Sequence, residues 1–318
     1  MRIGQNPAKS IEKVAKPANV TIAVVTYIPF LSGYYAESLE VLKACLGSLW
    51  ENTPQPYDLF VFDNASCHEV RTYLQEVHQR DQIQYLMFSE KNIGKGGAWN
   101  LVFQGAPGEV IAYADSDVYF HPGWLEQTLD VLEHFPNPGM ITSRPLRTPE
   151  QYYSSTLAWA DNDPEAILEE GDYQTWEIYS NHTNSLGVSL EKASEWYQKT
   201  RDRRITYRDR QAYIGAAHFQ FLAFKSVLQS VLPIEMDRPM GQVRELDRAL
   251  NQHGYLQLAT VDPLVEHMGN HLPDLHRAPG TVVSTASRAS KRWLDKPIIR
   301  RPLLYIYNRI FRLYYDQN

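Results

Sequence analysis

Short apolar runs alternate with longer amphipathic stretches through the first 145 residues of the chain. The runs are rich in β-branched and aromatic residues, the pattern of strands that are buried on both faces of a parallel sheet. Between the runs, apolar residues recur at helical spacing. The predicted strands are 20–27, 58–64, 83–88 and 110–114, and the predicted helices are 37–50, 70–79, 98–103 and 122–134. Because strand and helix alternate, the pattern predicts an α/β fold, a Rossmann-like, mostly parallel central sheet flanked by helices.

The alternation stops after residue 145. Residues 146–211 are rich in Tyr, Trp, Asp and Glu and have no clean period, which predicts an insertion or cap. Aromatic rings beside polar groups suit a carbohydrate-facing surface, and an irregular cap packed on the sheet explains the same composition. Periodicity then returns, with a predicted strand at 212–224, a helix at 243–252 and a strand pair over 255–265. The predicted segments are an N-terminal extension, a first half of the sheet, the insertion, a second half and a C-terminal tail: 1–19, 20–145, 146–211, 212–280 and 281–318.

Charge is distributed unevenly along the chain. The 318 residues carry a formal net charge of -6, which disfavours nucleic acid as a partner because phosphate binding needs a basic face. Residues 288–318 nevertheless contain eight basic and two acidic residues, a net +6. From residue 300 onward arginines alternate with apolar and aromatic residues, as in a helix at an anionic membrane surface. A terminal helix docked on the acidic body explains this basic tail equally well.

Cysteine content and hydropathy bear on the compartment. Cys45 and Cys67 are too few for a disulfide framework, and 1–19 lacks the apolar core of a signal peptide. The sequence therefore predicts a cytoplasmic protein, peripheral on the inner face of the cytoplasmic membrane if the basic tail binds lipid.

Two acids lie where the strand at 110–114 ends. Asp115 and Asp117, separated by Ser116, repel each other, and a divalent cation that holds a diphosphate would need such a cluster of oxygen ligands. Asp63 and Asn64 end another predicted strand at the same edge, where ligands of open α/β sheets bind. Ordinary turn chemistry and helix capping remain the alternatives for both pairs.

A glycine-rich segment at 92–100 follows the third strand. Its glycines, with Lys95 at a helix start, would let backbone amides and one ammonium approach a diphosphate. The segment lacks the spacing of a Walker loop or a dinucleotide fingerprint, and a flexible turn is the alternative.

In order and rough spacing, these motifs resemble those of a glycosyltransferase family 2-like protein with the GT-A fold. The resemblance covers residues 20–145 well and 212–270 more loosely. It implies a nucleotide-sugar donor and a Mn²⁺ or Mg²⁺ ion. Asp117 and His267 would bind the ion, and Asp115 would contact the ribose or the metal. The donor-binding residues that it implies are Thr26, Tyr27, Asp63, Asn64, Asn92, Gly94, Lys95, Gly97, Asn100, Asp115 and Ser116.

Transfer with inversion needs a base that deprotonates the acceptor hydroxyl. Related enzymes have an adjacent Glu-Asp pair ahead of a helix that ends in Gly-Tyr. This chain departs from that pattern, and its candidates are Asp247, then Glu245, then Asp237. A solvated first turn of a helix would explain the first two. His218 is a candidate for the acceptor side or for a buried structural histidine.

The expected function is metal-dependent transfer of a sugar, with inversion, from a nucleotide-diphosphate donor to a saccharide or lipid-linked saccharide, in surface polysaccharide or glycolipid synthesis. A nucleotidyltransferase is the first alternative, although residues 27–31 lack the glycine-rich basic loop that it would need. A non-catalytic carbohydrate-binding protein on the same fold is the second. The sequence leaves the oligomeric state open.

Overall fold

The computed structural model describes residues 4–235 and 243–272, together with Pro302, Tyr305, Ile306 and Arg309. The chain divides into two compact units, Met1–Thr281 and Val282–Asn318. In the second unit the four described residues are helical and exposed. None of the described helices is long and apolar enough to cross a membrane.

The described residues of the first unit form one mixed sheet of ten strands and a two-stranded ribbon. The strands are β1 (Val20–Thr26), β2 (Asp58–Asn64), β3 (Tyr85–Ser89), β4 (Val110–Asp115), β5 (Val118–Phe120), β6 (Pro138–Thr142), β7 (Ala166–Gly171), β8 (Asp202–Tyr207), β9 (Arg210–Ile214), β10 (Gln220–Phe224), β11 (Leu256–Ala259) and β12 (Val265–His267). The large sheet has the order β3-β2-β1-β4-β10-β6-β11-β9-β8-β7. Its first four strands are parallel, as predicted, and β10 runs antiparallel to β4.

Helices cover both faces of the sheet. They are α1 (Ser38–Asn52), α2 (His68–Gln79), α3 (Gly94–Gly105), α4 (Trp124–His134), α5 (Ser154–Asn162), α6 (Trp176–Ser185), α7 (Leu190–Lys199), α8 (Lys225–Ser230) and α9 (Arg244–Gln252). Successive residues of β1 enter opposite cores, because side chains alternate along a strand. Ile22 and Val24 lie in the core with α1, α2 and α4, and Ala23 lies in the core with α3, α8 and α9. The prediction of strands buried on both faces is therefore confirmed for β1.

Residues 146–211, which show no clean period in the sequence, contain regular helices and strands. Helices α5, α6 and α7 lie here, and β7 and β8 extend the sheet beyond β9. A buried ion pair joins Arg147 to β8, with 2.8 Å between Arg147 Nε and Asp202 Oδ1. Asp202 also accepts hydrogen bonds from the backbone amides of Tyr173 and Gln174, both at 2.8 Å. These contacts tie the segment after β6 to the outer strands.

Two predicted boundaries were wrong. Residues 212–224 form two strands rather than one, because the chain turns at Gly215, where φ is 106°. A Cβ there would lie 2.2 Å from Thr148 Oγ1, so this turn requires glycine. Helix α3 begins at Gly94, four residues before the predicted start, and Gly94 itself has φ 74°.

Candidate active site

The carboxyl ends of adjacent parallel strands bring polar side chains to one edge of the sheet. In the register of β1 with its neighbours, Thr26 pairs with Asp63, and Val25 pairs with Asp115. Antiparallel β10 starts at the same edge, and Phe219 O accepts a hydrogen bond from Asp115 N at 2.8 Å. The edge therefore carries residues from both halves of the sequence, as the crevice of an open α/β sheet does.

Asp115 is held by two neighbours. Lys95 Nζ lies 2.6 Å from Asp115 Oδ1 and 2.7 Å from Oδ2, and Tyr113 Oη donates to Oδ1 at 2.5 Å. The ammonium also lies over the rings of Trp99 and Tyr113, at 5.2 and 5.5 Å. Burial and the neighbouring Asp115 carboxylate raise the pKa of Tyr113, so this phenol stays a hydrogen-bond donor. With both carboxylate oxygens bonded, Asp115 is better placed to orient Lys95 than to bind a cation by itself.

Asp117 faces His267 through the β5–β12 ribbon. The antiparallel register pairs His267 with Val118, and Met268 N donates to Asp117 O at 2.7 Å. His267 Nε2 then lies 3.3 Å from Asp117 Oδ2. The other carboxylate oxygen, Asp117 Oδ1, is buried and has no hydrogen-bond partner among the described residues. The structure thus brings together two of the three residues that the sequence predicted around a metal.

A contact with Ser185 fixes the orientation of the His267 imidazole. Ser185 Oγ lies 3.0 Å from its Nδ1, which leaves Nε2 directed at Asp117. Burial alone would lower the pKa of His267, but the carboxylates of Asp117 and Asp115 outweigh it and the net pKa is raised. The raised pKa favours protonation of the ring beside Asp117, and a cation bound at Nε2 would compete with that proton.

The donor set fits a hard divalent cation with a phosphate ligand. Among residues 4–235 and 243–272, no three His, Cys, Asp or Glu side chains form a ready-made metal site. The unpartnered Asp117 Oδ1 is a buried acceptor that a cation would satisfy, and His267 Nε2 stands beside it. Mg²⁺ is commonly bound by one or two carboxylates together with substrate phosphates and water, which the Asp117 carboxylate fits. Asp117 and His267 would hold it here.

The remaining donor-side candidates surround the start of α3. Asn64 joins β2 to this helix: its Oδ1 accepts from Ile93 N at 2.9 Å, and its Nδ2 donates to Asn92 Oδ1 at 3.0 Å. Gly94 N donates to Asn92 Oδ1 at 2.8 Å. Gly97 lies in the first turn of α3, and Asn100 exchanges two hydrogen bonds with the backbone of Ile234. The other predicted residues at this edge are half-buried Tyr27, in the loop after β1, and half-buried Ser116, in the turn after β4.

Two buried side-chain oxygen groups, those of Asp63 and Thr26, lie at the ends of β2 and β1. Asp63 is fully buried and accepts from Ser66 N at 3.2 Å, so it caps the turn after β2. Burial raises the pKa of Asp63, against the opposing effect of Ser66 and Arg71. Thr26 Oγ1 is also buried, and no described residue bonds to it. An unsatisfied buried hydroxyl is uncommon, and a bound base or ribose could supply its partner.

The three candidate acids on the acceptor side do not share one environment. The Asp247 carboxylate is 0% exposed; Arg244 donates to its Oδ2 at 3.0 Å, and His218 Nδ1 lies 3.5 Å from the same oxygen. Glu245 is paired with Arg248 on the exposed side of α9. Asp237 lies outside the described residues. The structure thus links one of the three acids to the sheet edge, through His218.

Sequence reasoning missed the residues that support this site. Tyr113 is one of them, although its position two residues before Asp115 places both side chains on one face of β4. Buried Arg144 donates to Val265 O and Ile178 O, which ties β12 to α6 behind His267. Burial lowers the pKa of Arg144 to about 10. These bonds to backbone carbonyls leave no mark in the sequence, since any residue supplies a carbonyl.

The family assignment rests on the sequence that builds this edge. Residues 33–160 match the family model described as glycosyl transferase family 2. This match to a glycosyltransferase family 2 domain spans less than half of the chain. The matched range includes Asp63, Lys95, Asp115 and Asp117, and the mostly parallel sheet flanked by helices is that of the GT-A fold predicted from the resemblance.

Other proteins are similar to parts of this chain. An uncharacterized glycosyltransferase of Nostoc sp. (strain PCC 7120 / SAG 25.82 / UTEX 2576) is 25% identical over 92 residues, which are 29% of this chain and 29% of that protein. Among solved structures, S. aureus TarS 1-349 is 17% identical, with a TM-score of 0.34, and the match covers 43% of this chain and 40% of TarS. The mannosyltransferase PcManGT from Pyrobaculum calidifontis, in complex with GDP-Man and Mn²⁺, is 20% identical, with a TM-score of 0.34 and coverage of 42% and 36%. These TM-scores are too low to carry an argument on substrate or site.

Proposed function

We propose that the protein transfers a sugar from a nucleotide-diphosphate donor to a saccharide or lipid-linked saccharide, with a divalent cation and with inversion. The observation that carries the proposal is the convergence of Asp115, Lys95 and the Asp117–His267 pair at one sheet edge of a family 2 domain. Synthesis of a surface polysaccharide or glycolipid is the process in which we place it.

The donor would bind across the first half of the sheet. The unsatisfied Thr26 Oγ1 and the turn at Asp63 suit a base or ribose, and the first turn of α3 offers backbone amides. Lys95, beside Asp115, supplies a positive charge for a diphosphate. When bound at Asp117 and His267, Mn²⁺ or Mg²⁺ would neutralise charge on the leaving nucleoside diphosphate.

Inversion is proposed because a base is available on the acceptor side. Direct displacement needs a group that takes the acceptor proton while the diphosphate leaves from the opposite face of the sugar carbon. Asp247 and His218 lie beside the edge that carries Lys95, since Lys95 Nζ donates to His218 O at 3.2 Å. A donor at Asp115 and an acceptor near His218 would therefore be adjacent.

Titration calorimetry with UDP and GDP, each with and without MnCl₂, tests the donor site. We expect one nucleotide to bind with manganese and to bind at least about tenfold more weakly without it, since the cation would supply positive charge for the diphosphate. Incubation with UDP-glucose, UDP-N-acetylglucosamine and GDP-mannose should then release the matching diphosphate. Absence of metal-dependent nucleotide binding would defeat the enzyme proposal.

The same assays separate the alternatives. A nucleotidyltransferase would release pyrophosphate from a nucleoside triphosphate rather than a diphosphate from a nucleotide sugar. A carbohydrate-binding protein without activity would bind oligosaccharides and leave every nucleotide sugar intact.

We further propose that the basic tail brings the enzyme to an anionic membrane surface, because the net charge of residues 288–318 is +6 in a chain of net charge -6. Replacing Arg300, Arg301 and Arg309 together with glutamine should weaken sedimentation with phosphatidylglycerol vesicles about 100-fold, at about 1 kcal/mol per arginine. Vesicles of phosphatidylcholine alone are the control. Equal sedimentation of the wild type and the triple variant with phosphatidylglycerol vesicles would contradict lipid binding through the tail.

A further inference from the structure

Asp247 is poorly placed to meet an acceptor sugar itself. Its carboxylate is 0% exposed, and Oδ2 is engaged by Arg244 at 3.0 Å. Gln257 Nε2 donates to the backbone carbonyl of Asp247 at 2.7 Å, which fixes this turn of α9 against β11. An acceptor hydroxyl could reach the carboxylate only if packed groups moved apart, so the residue resembles the buried partner of a catalytic dyad.

His218 stands between Asp247 and the sheet edge. Its side chain is 21% exposed, and its Nδ1 lies 3.5 Å from Asp247 Oδ2. This distance is long for a hydrogen bond, and contacts of this kind often tighten only when substrate binds. Nδ1 makes no hydrogen bond to a described residue, so the approach to Asp247 is a close contact rather than a formed hydrogen bond. Because the two ring nitrogens point in different directions, an Nδ1 that faces Asp247 leaves Nε2 facing away from that carboxylate.

The residue is also anchored to the donor side. Its backbone carbonyl accepts a hydrogen bond from Lys95 Nζ at 3.2 Å, and Lys95 binds Asp115 through the same ammonium. Phe219, the next residue, accepts from Asp115 N. The imidazole therefore belongs to the edge that holds the candidate donor residues, whereas Glu245 is paired with Arg248 and is 42% exposed.

Burial and the nearby cations favour the neutral form of the His218 imidazole. Burial is the largest influence and lowers the pKa of His218; Lys95 and Arg244 lower it further, and Asp247 opposes them. The charged groups that face the ring are thus Asp247 and Arg244 of α9 and Lys95 of α3. A neutral imidazole whose Nδ1–H is directed at a carboxylate presents a free electron pair at Nε2.

We propose that His218 Nε2 is the base that takes the acceptor proton, and that Asp247 is a positioning residue that orients the ring. The inference rests on the sugar transfer proposed above. The acceptor O–H bond breaks as its proton moves to Nε2, and the acceptor oxygen forms a bond to the anomeric carbon. The bond from that carbon to the diphosphate oxygen breaks, and its electron pair leaves with the diphosphate. Asp247 stabilises the imidazolium that results.

The test uses the full chain and water as the acceptor, because water also needs a base. Release of UDP or GDP from UDP-glucose, UDP-N-acetylglucosamine and GDP-mannose is measured with saturating MnCl₂ in the wild type, H218A, H218Q and a control, H253Q. His253 is an exposed histidine at the C-terminal end of α9, where its ring bonds to Ala249 O. Calorimetry with UDP and GDP runs in parallel on every variant.

We expect H218A and H218Q to release diphosphate at least about 100-fold more slowly, the usual contribution of general-base catalysis. Nucleotide binding should stay within about threefold of wild type, a difference of about 0.6 kcal/mol, and H253Q should match the wild type. Added imidazole should restore H218A in proportion to its concentration and leave H218Q unchanged, because only the alanine variant leaves room for the ring. A purely structural role would not give this rescue.

The outcomes separate this inference from the proposed function. If the wild type neither binds UDP or GDP nor releases either, the glycosyltransferase proposal itself fails. If the wild type is active and H218A keeps its rate, or loses it without rescue by imidazole, His218 is not the base. Loss of activity in E245Q together with retention in H218A would assign the base to Glu245.

Discussion

Replacing Asp117 with alanine should lower manganese-dependent release of nucleoside diphosphate from the nucleotide-sugar donor by about 1000-fold. The change removes the buried, unpartnered Oδ1 and the partner of His267 Nε2, and so removes a principal ligand from the proposed cation site. Stabilising charge on the leaving group through a metal contributes several kcal/mol, and about 4 kcal/mol corresponds to that factor in rate. Initial rates with and without MnCl₂ would measure the loss.

The control for this prediction is D209A, which removes an 81% exposed carboxylate that lies 3.8 Å from His134 Nε2. Its rate and manganese dependence should equal those of the wild type. Full activity in D117A, at an unchanged manganese requirement, would show that the cation binds elsewhere even though the fold is that of a glycosyltransferase.

Replacing Asp202 with asparagine should lower the free energy of unfolding by about 3–5 kcal/mol, because the buried Arg147 guanidinium loses its buried counter-charge and keeps only the half-exposed Asp172. Arg147 Nε and Asp202 Oδ1 are 2.8 Å apart, and the Asp202 side chain is 0% exposed. Urea denaturation followed by circular dichroism would measure the change. D172N is the matched control, since Asp172 contacts the same guanidinium at 3.3 Å but is 49% exposed; its cost should stay below about 1 kcal/mol.

The same carboxylate predicts how stability depends on pH. Burial raises the pKa of Asp202, but the hydrogen bonds from Arg147 and from the amides of Gln174 and Tyr173 outweigh burial, so the net pKa is lowered. A lowered carboxyl pKa stabilises the fold above the ordinary value of 3.8 and ceases to do so as pH falls through the folded-state pKa. The difference between wild type and D202N should therefore shrink below pH 3.8. A difference that stayed constant down to pH 2 would contradict the assignment.

The inner strands could be predicted from the sequence because burial on both faces leaves a nearly continuous apolar run. Residues 58–64 were predicted as a strand and form β2. The outer strand β8 (Asp202–Tyr207) alternates charged, polar and apolar residues over a short span, so its pattern merges with the surrounding loops. The turn at Gly215 was missed for the opposite reason, since the apolar residues beside it continue the pattern of both neighbouring strands.

Only part of the candidate site could be predicted from the sequence. Strand ends located Asp63, Asp115 and Asp117, because parallel strands share their carboxyl edge. Their partners come from elements distant in the chain: Ser185 approaches His267 from α6, and His218 approaches Asp247 from the loop before β10. Such contacts depend on how packed elements meet, and a single sequence carries no periodic signal for them.

The β5–β12 ribbon has a consequence for biosynthesis. Val118 and His267 are paired in space but far apart in the sequence. The strands β1 to β4 have therefore emerged from the ribosome before it adds the histidine. Because chains fold from the N-terminus as they emerge, the sheet edge with Asp117 can form while its imidazole partner is still missing. A nascent chain that stops before β12 would thus have no Asp117–His267 pair. At the cation site proposed above, the second protein ligand would thus be made only late in synthesis.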